Sequence, residues 1–295
     1  MKNLLKRSLQ ILILSQLSFS NFLYADIHNP SIFLPYGFLK VSAVGASQSL
    51  DSFGNSNMSA PTTAHPPTTV TNSQFRSSLQ VEQSRLGVWI NPADPIRGQF
   101  EIDFVDFKLA SPTTGSHPRL RIAKIVFKPD ENNELILGQD WDVFSPNKPI
   151  TYNIVGLNFQ AGNIGFMRQQ AQWRISGNSY HFVFALGLAG RNESASDGDL
   201  ELGNLPLFTS SYSFQIDSKL EIGIAGTAGK LNFNETPTGV YGINSFLTFK
   251  IPGQIEVRGE AYYGQNLGNA NFLGLAIASS KEILHEFGGY LSFKG

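Results

Sequence analysis

From Ile96 to Phe104 the chain alternates without a break: Ile96, Gly98, Phe100, Ile102 and Phe104 against Arg97, Gln99, Glu101 and Asp103. Period two means a strand with one apolar and one charged face. Arg168, Gln170, Gln172 and Arg174 repeat the polar phase later, and Tyr180, Phe182, Phe184, Leu186 and Leu188 repeat the apolar one. Strands of a soluble β-sandwich, the competing architecture, usually run ~5 to 6 residues and carry a polar outer face. Here the alternating segments approach the ~9 to 11 residues that cross a bilayer at a tilt. The expected fold class is all-β: a transmembrane, antiparallel, up-and-down β-barrel with a polar lumen.

The start of the chain gives the compartment. Lys2, Lys6 and Arg7 precede an apolar stretch from Leu9 to Leu17, and the small Ala25 closes the segment. This predicts a secretory signal peptide over residues 1–25, cleaved after Ala25. A short periplasmic segment is expected over 26–35 and the barrel over 36–295. No other stretch approaches the ~18 apolar residues of a spanning helix. With 28 Gly, 23 Phe and no Cys, the composition fits a bacterial envelope protein and removes disulfides, thiol nucleophiles and zinc-thiolate sites together. Without the leader the 22 basic residues fall to 19 against 23 acidic ones, a net of −4, so no nucleic-acid partner is expected.

Strands are expected over Tyr36 to Ser47, Gln74 to Ile90 with a β-bulge near Gln83 and Ser84, Ile96 to Lys108, Arg119 to Lys128 and Leu135 to Phe144. Further ones follow at Phe166 to Ser176, Tyr180 to Ala189, Phe208 to Ile216, Lys219 to Phe233, Val240 to Ile251, Gln254 to Gly264 and Ile283 to Phe293. Turns such as Asn91 to Pro95, Gly177-Asn178, Asp217-Ser218 and Pro252-Gly253 are short. They alternate with longer loops, among them Gln48 to Ser73, Ser145 to Gly165, Asn234 to Gly239 and Gln265 to Lys281. Alternating short and long connections are a second barrel signature.

Nothing in the chain points to catalysis. His28, His65, His117, His181 and His285 are dispersed, and neither a metal-ligand spacing nor a G-x-S-x-G elbow occurs. The expectation is no enzyme, no cofactor and no metal. The informative residues lie on the lumen phase. If Leu120 and Ile122 face lipid, Arg119 and Arg121 face inward, because a charge at the bilayer midplane costs ~2 to 4 kcal/mol. The same logic sends Arg85, Arg168 and Arg174 inward, five guanidiniums that can form a basic strip attracting anionic solutes. Glu82, Glu101, Asp103, Glu256, Arg258 and Glu260 also fall on lumen phases, so the alternative is mixed rings that neutralise one another and brace the wall. Glu193, Asp197, Asp199 and Glu201 gather in one loop, either as a solvated face or as a contact for divalent cations or lipopolysaccharide.

Four segments carry a family resemblance: Ser84-Arg85-Leu86-Gly87, Arg119-Leu120-Arg121-Ile122-Ala123, Leu137-Gly138-Gln139-Asp140-Trp141-Asp142-Val143-Phe144 and Arg168-Gln169-Gln170-Ala171-Gln172-Trp173. In order and spacing the chain resembles DcaP-like outer-membrane porins over roughly Gly37 to Gly289. The resemblance implies a homotrimer of sixteen-stranded barrels in the outer membrane, passing small anionic solutes such as dicarboxylates. It also implies that the loop after Phe144 folds inward, so that Asp142, Lys148, Asn153 and Asn158 line a constriction opposite the Arg strip. About twelve visible strands, and an end at Tyr290 to Gly295 instead of a terminal aromatic, lead to the expectation that the last hairpins are absent from the chain. A twelve-stranded barrel is the alternative. From a different class, a secreted or outer-membrane adhesin would use the loops Gln48 to Ser73 and Arg191 to Leu207 for a surface partner.

Overall fold

The computed structural model describes residues 32–46, 76–105, 117–151, 162–189, 205–233, 236–270, 272 and 283–295. Its strands are β1 (Phe33–Phe38), β2 (Ser42–Ala46), β3 (Arg76–Gln80), β4 (Arg85–Ile90), β5 (Ile96–Asp103), β6 (Arg119–Phe127) and β7 (Asn133–Trp141). They continue as β8 (Met167–Ser176), β9 (Tyr180–Gly187), β10 (Leu205–Gln215), β11 (Leu220–Phe233), β12 (Thr236–Ile251), β13 (Ile255–Gln265) and β14 (His285–Lys294). Twelve of them form one antiparallel meander, β1-β4-β5 and onward in chain order to β14, while β2 and β3 pair separately. The up-and-down topology and the strand count agree with the sequence reading. Among the described residues β1 and β14 are the two edges of the sheet and do not pair with each other.

The sheet is inverted relative to a soluble protein. Along β10, Leu207, Thr209, Ser211 and Ser213 are buried while Phe208, Tyr212 and Phe214 are exposed. The same holds around the wall: Glu101, Asp103, Arg121, Asp140, Gln170, Gln172, Thr227, Asn244 and Glu260 are buried. Leu86, Phe100, Leu120, Ile125, Leu137, Ile224, Ile243 and Phe287 are exposed. A water-soluble core reverses this distribution.

The turns set the polarity of the sheet. Residues 91–95, 128–132, 177–179, 216–219 and 252–254 link strands at one end. The carboxylate of Asp130 accepts from the backbone N–H of Asn132 and Asn133 at 2.8 and 2.9 Å, and that of Asp217 from Lys219 and Leu220 at 2.7 and 2.8 Å. These are side-chain-capped turns, the reason Asp recurs in them. The long connections lie at the opposite end, where one expectation changes: β12 begins at Thr236, so only 234–235 separate it from β11 instead of a loop to Gly239.

Two strand assignments change at the β1–β4 edge. The first strand begins earlier, at Phe33, and pairs Phe33 to Phe38 with Ile90 to Arg85. Pro35 is tolerated there because β1 is an edge strand and its missing donor breaks no ladder. The switch of apolar phase between Val81 and Leu86 is made by a turn, Ser84 N–H to Val81 O at 3.0 Å, and not by a bulge within one strand. The turn separates β3 from β4, and Lys40 holds it, its backbone N–H donating to Ser84 Oγ at 3.0 Å and its Nζ to Gln83 Oε1 at 2.6 Å.

A bulge does occur in β6. Phe100 faces Ala123 and Glu101 faces Ile122, but Ile102 faces Leu120, so Arg121 is the extra residue. Two consecutive side chains then point inward. Ile122 is 3% exposed, which corrects the expectation that it faces outward. Beyond the bulge the inward phase is even, and Lys124 joins the interior.

Candidate functional site: the inner wall

On β4, β5 and β6 three guanidiniums and two carboxylates alternate. Glu101 Oε1 lies 2.8 Å from Arg121 Nε and 3.5 Å from Arg85 Nε. Asp103 takes Arg121 Nη1 at 3.0 Å and Arg119 in a fork, Nε at 2.9 Å and Nη2 at 2.6 Å. Tyr36 donates its hydroxyl to Glu101 at 3.1 Å and accepts from Gln99 at 2.7 Å. The guanidiniums also sit over aromatic rings, Arg85 over Phe38, Arg119 over Phe166 and Arg121 over Trp141. Arg121 is 1% exposed, a depth at which an unpaired charge would cost several kcal/mol, and its position astride the bulge gives it both carboxylates.

The second cluster centres on Asp140 of β7. Its carboxylate takes Lys124 Nζ at 2.9 Å and Arg174 Nη2 at 3.0 Å, and Arg174 Nε also donates to Gln172 at 2.8 Å. Among the described residues, cations thus outnumber carboxylates by three to two in the first cluster and by two to one in the second. The side chain of Arg174 is 35% exposed against 2% for Arg121, so the two differ sharply in what they can meet.

A third group fixes the connection after β7, which folds inward. Asp142 bonds Arg168 Nε at 2.5 Å. Glu260 on β13 accepts from Ser145 Oγ, from Asn147 N at 2.7 Å and from Asn244 Nδ2 at 3.2 Å. Ile150 N–H reaches Ser292 Oγ on β14 at 3.1 Å, and the carbonyl of Lys148 accepts from Arg258 at 3.2 Å. Gly162, at φ +108°, passes so close to β14 that a Cβ would sit 2.1 Å from the Gly289 carbonyl oxygen. The described parts of this connection therefore reach from β7 across to β13 and β14. Lys148 Nζ lies 4.5 Å from the centre of the Trp141 ring and donates to Ser145 O at 2.6 Å. Withdrawal from water pushes its ammonium down to about 8, against the opposing pull of Glu260, Asp142 and Asp140.

Beside this connection a cavity of about 350 Å³ extends toward the short-turn end, lined by Lys128, Glu134, Trp141, Asp142, Arg174 and His181 among others. Among the described residues no three His, Asp or Glu side chains are grouped to hold a metal ion.

All five arginines of the expected strip, with Glu101 and Asp103, thus lie on the inner face, as does Lys148. Asn153, Asn158, the acidic stretch Glu193 to Glu201 and the loop Gln48 to Ser73 lie outside the described residues. The picture of an open basic strip changes: Arg85, Arg119 and Arg121 are interleaved with acids, which is the bracing alternative, and Arg168 is tied to three connections. Lys124 and Trp141 are functional candidates missing from the expected set. Lys124 is hidden by the bulge, whereas Trp141 stands within the Leu137 to Phe144 segment that carries the family resemblance.

Neither a family model nor a curated protein matches the chain. Among solved structures it is similar to the outer membrane channel DcaP of Acinetobacter baumannii, at 16% identity and TM-score 0.60, over 79% of this chain and 64% of that one. An anion-selective porin from Comamonas acidovorans matches at 9% identity and TM-score 0.48, over 79% and 68% of the two chains. OmpT, an outer membrane protein of Vibrio cholerae in its trimer form, matches at 10% and 0.41, over 79% and 77%. The fold is that of the DcaP channel, as the motif resemblance implies, and the chain spans 64% of that channel's length.

Proposed function

We propose that the chain forms the wall of an outer-membrane pore through which small hydrophilic solutes, anions by preference, diffuse down their gradients. The observation that carries this reading is the inverted sheet, apolar outside and ionic inside, which matches a bilayer on one face and water on the other. Transport on this reading is sieving by the in-folded connection after β7 plus attraction by cations, with no energy source. The anion preference rests on the excess of cations over carboxylates within each of the two clusters. Of the cations expected to select, Arg174 is the most accessible and lines the cavity. Arg85, Arg119 and Arg121 act with Glu101 and Asp103 as a braced field, and Lys148 and Asp142 belong to the constriction. Dicarboxylate-like solutes, association into a homotrimer, contact with lipopolysaccharide, and export by a signal peptide cleaved after Ala25 belong to the same proposal.

Planar-bilayer recording of the refolded full-length protein tests it. Stepwise conductance with an anion-directed reversal potential in a salt gradient is expected. Absence of any channel would end the pore reading, and Arg174→Ala with unchanged anion preference would remove that residue from the selectivity set.

A further inference from the structure

Arg168 differs from the other inward arginines in what it holds. Its Nε donates to Asp142 Oδ2 at 2.5 Å, its Nη1 to Leu188 O at 2.5 Å and its Nη2 to Ala270 O at 3.1 Å. Those acceptors belong to three connections at the same end of the sheet, after β7, β9 and β13. The guanidinium face lies 4.3 Å from the centre of the Phe272 ring, and Phe272 meets Phe144 edge-on at 5.3 Å. The residues it gathers are out of solvent: Asn266, Leu267, Ala270 and Phe272 are each 0% exposed. Leu267, Ala270 and Phe272 pack with Phe144 and Ile164 on the inward side chains Leu207, Ala225, Leu231, Val240 and Phe246. At its other end the same segment is tied to the far strands, Gly268 N–H to Glu286 of β14 at 2.9 Å and Asn266 Nδ2 to Gly239 O at 2.9 Å.

A segment anchored to β14 at one end and to β8 at the other crosses the interior. We propose that residues 266–270 with Phe272 are a second constriction element beside the connection after β7. Arg168 is the positioning residue that staples this segment across the lumen, and so sets the pore's size limit without setting its charge preference. The proposal rests on the pore reading for its transport consequence. The staple itself is a property of the folded chain.

The chain has no cysteine, so Ala270→Cys provides a single reporter on the segment. With Arg168 present, the introduced thiol should react slowly with a water-soluble maleimide in the folded, heat-modifiable protein. Arg168→Gln should raise the rate by at least about tenfold, the effect of losing one charge-assisted hydrogen bond. Arg168→Lys separates the two roles, because it keeps the charge but cannot fork to three acceptors. It should speed labelling and, in bilayers, raise conductance and the largest permeant solute while leaving the reversal potential in place. Labelling unchanged in both variants overturns the staple. Rescue of the original conductance by Lys, with anion preference lost only in Gln, would make Arg168 a selectivity residue instead. A parent protein without channels would overturn the pore reading, and the labelling rates would still decide the staple.

Discussion

If the chain forms the proposed pore, raising the pH should lower its anion preference through a single side chain. The Lys148 ammonium sits on the in-folded connection, 4.5 Å from the Trp141 ring centre, and burial brings it down to about 8. With that value it is about nine-tenths charged at pH 7 and about one-tenth charged at pH 9. Glu260, which anchors the connection beside it, then loses its nearest compensating cation. A unit charge felt by a permeating ion at roughly 8 Å through water is worth about 0.5 kcal/mol. Removing it lowers local anion concentration by a factor of about 2.3 and raises that of cations by the same factor, so the permeability ratio falls by roughly fivefold. Reversal potentials in a KCl gradient, read at intervals from pH 6.5 to 9.5, should trace a single titration near 8. Lys148→Met, which keeps the apolar stem, should give a flat curve at the high-pH level. A flat curve in the parent, or a persistent slope in Lys148→Met, would refute the argument. Stability moves the other way. The unfolded lysine holds its proton up to about 10.5 and the folded one only to about 8, so the cost of burying the charge is relieved as pH rises across that window.

Three further outcomes are expected. Asp103→Asn leaves Arg119 and Arg121 without their shared carboxylate and should cost about 3 to 5 kcal/mol in urea unfolding of vesicle-inserted protein, with little change if the ladder is dispensable. Ile243→Arg on the outer face should cost about 2 to 4 kcal/mol of folding into lipid, whereas the inward Ser211→Arg should fold and alter conductance; the reverse order would invert the assignment of faces. Asp217 is held below the usual carboxylate range by the N–H groups of Lys219 and Leu220, so its contribution is present above about pH 4 and lost as pH falls through the lowered value. Asp217→Ala should therefore flatten the acid side of the stability profile, as followed by the folded band from pH 5 to 2.

The wall itself was legible in the chain because one strand's worth of alternation fixes which face each residue takes. Turn chemistry at Asp217 and Asn91 to Pro95 then marked where strands end. What stayed hidden depends on one-residue events or on distance. The extra residue at Arg121 sends Ile122 and Lys124 inward against the simple alternation, and no local signal in Arg119 to Phe127 announces it. Pairing of Arg85 with Glu101, and of Arg174 with Asp140, depends on neighbouring strands and register, so charges that read singly as a strip prove to be interleaved. The anchoring of Asn147 by Glu260 spans more than a hundred residues. Arg168 looks in sequence like its neighbour Arg174, and only the three connections that converge on it separate the two.

The bulge at Arg121 also makes the chain intolerant of small changes in its length. Upstream of it the odd-numbered residues of β6 face inward and downstream the even-numbered ones, so the insertion works as a phase converter within a single strand. Deleting one residue between Leu120 and Ile122 would restore plain alternation, but with the outer ladder to β5 in register, one of the two adjacent inward positions would vanish. The Arg121 bridge between Glu101 and Asp103 would go with it. A two-residue deletion would preserve the phase yet shorten the strand. Among length variants of this protein, single-residue indels at this point should therefore be purged first, while the turns at the short-connection end absorb changes of the same size.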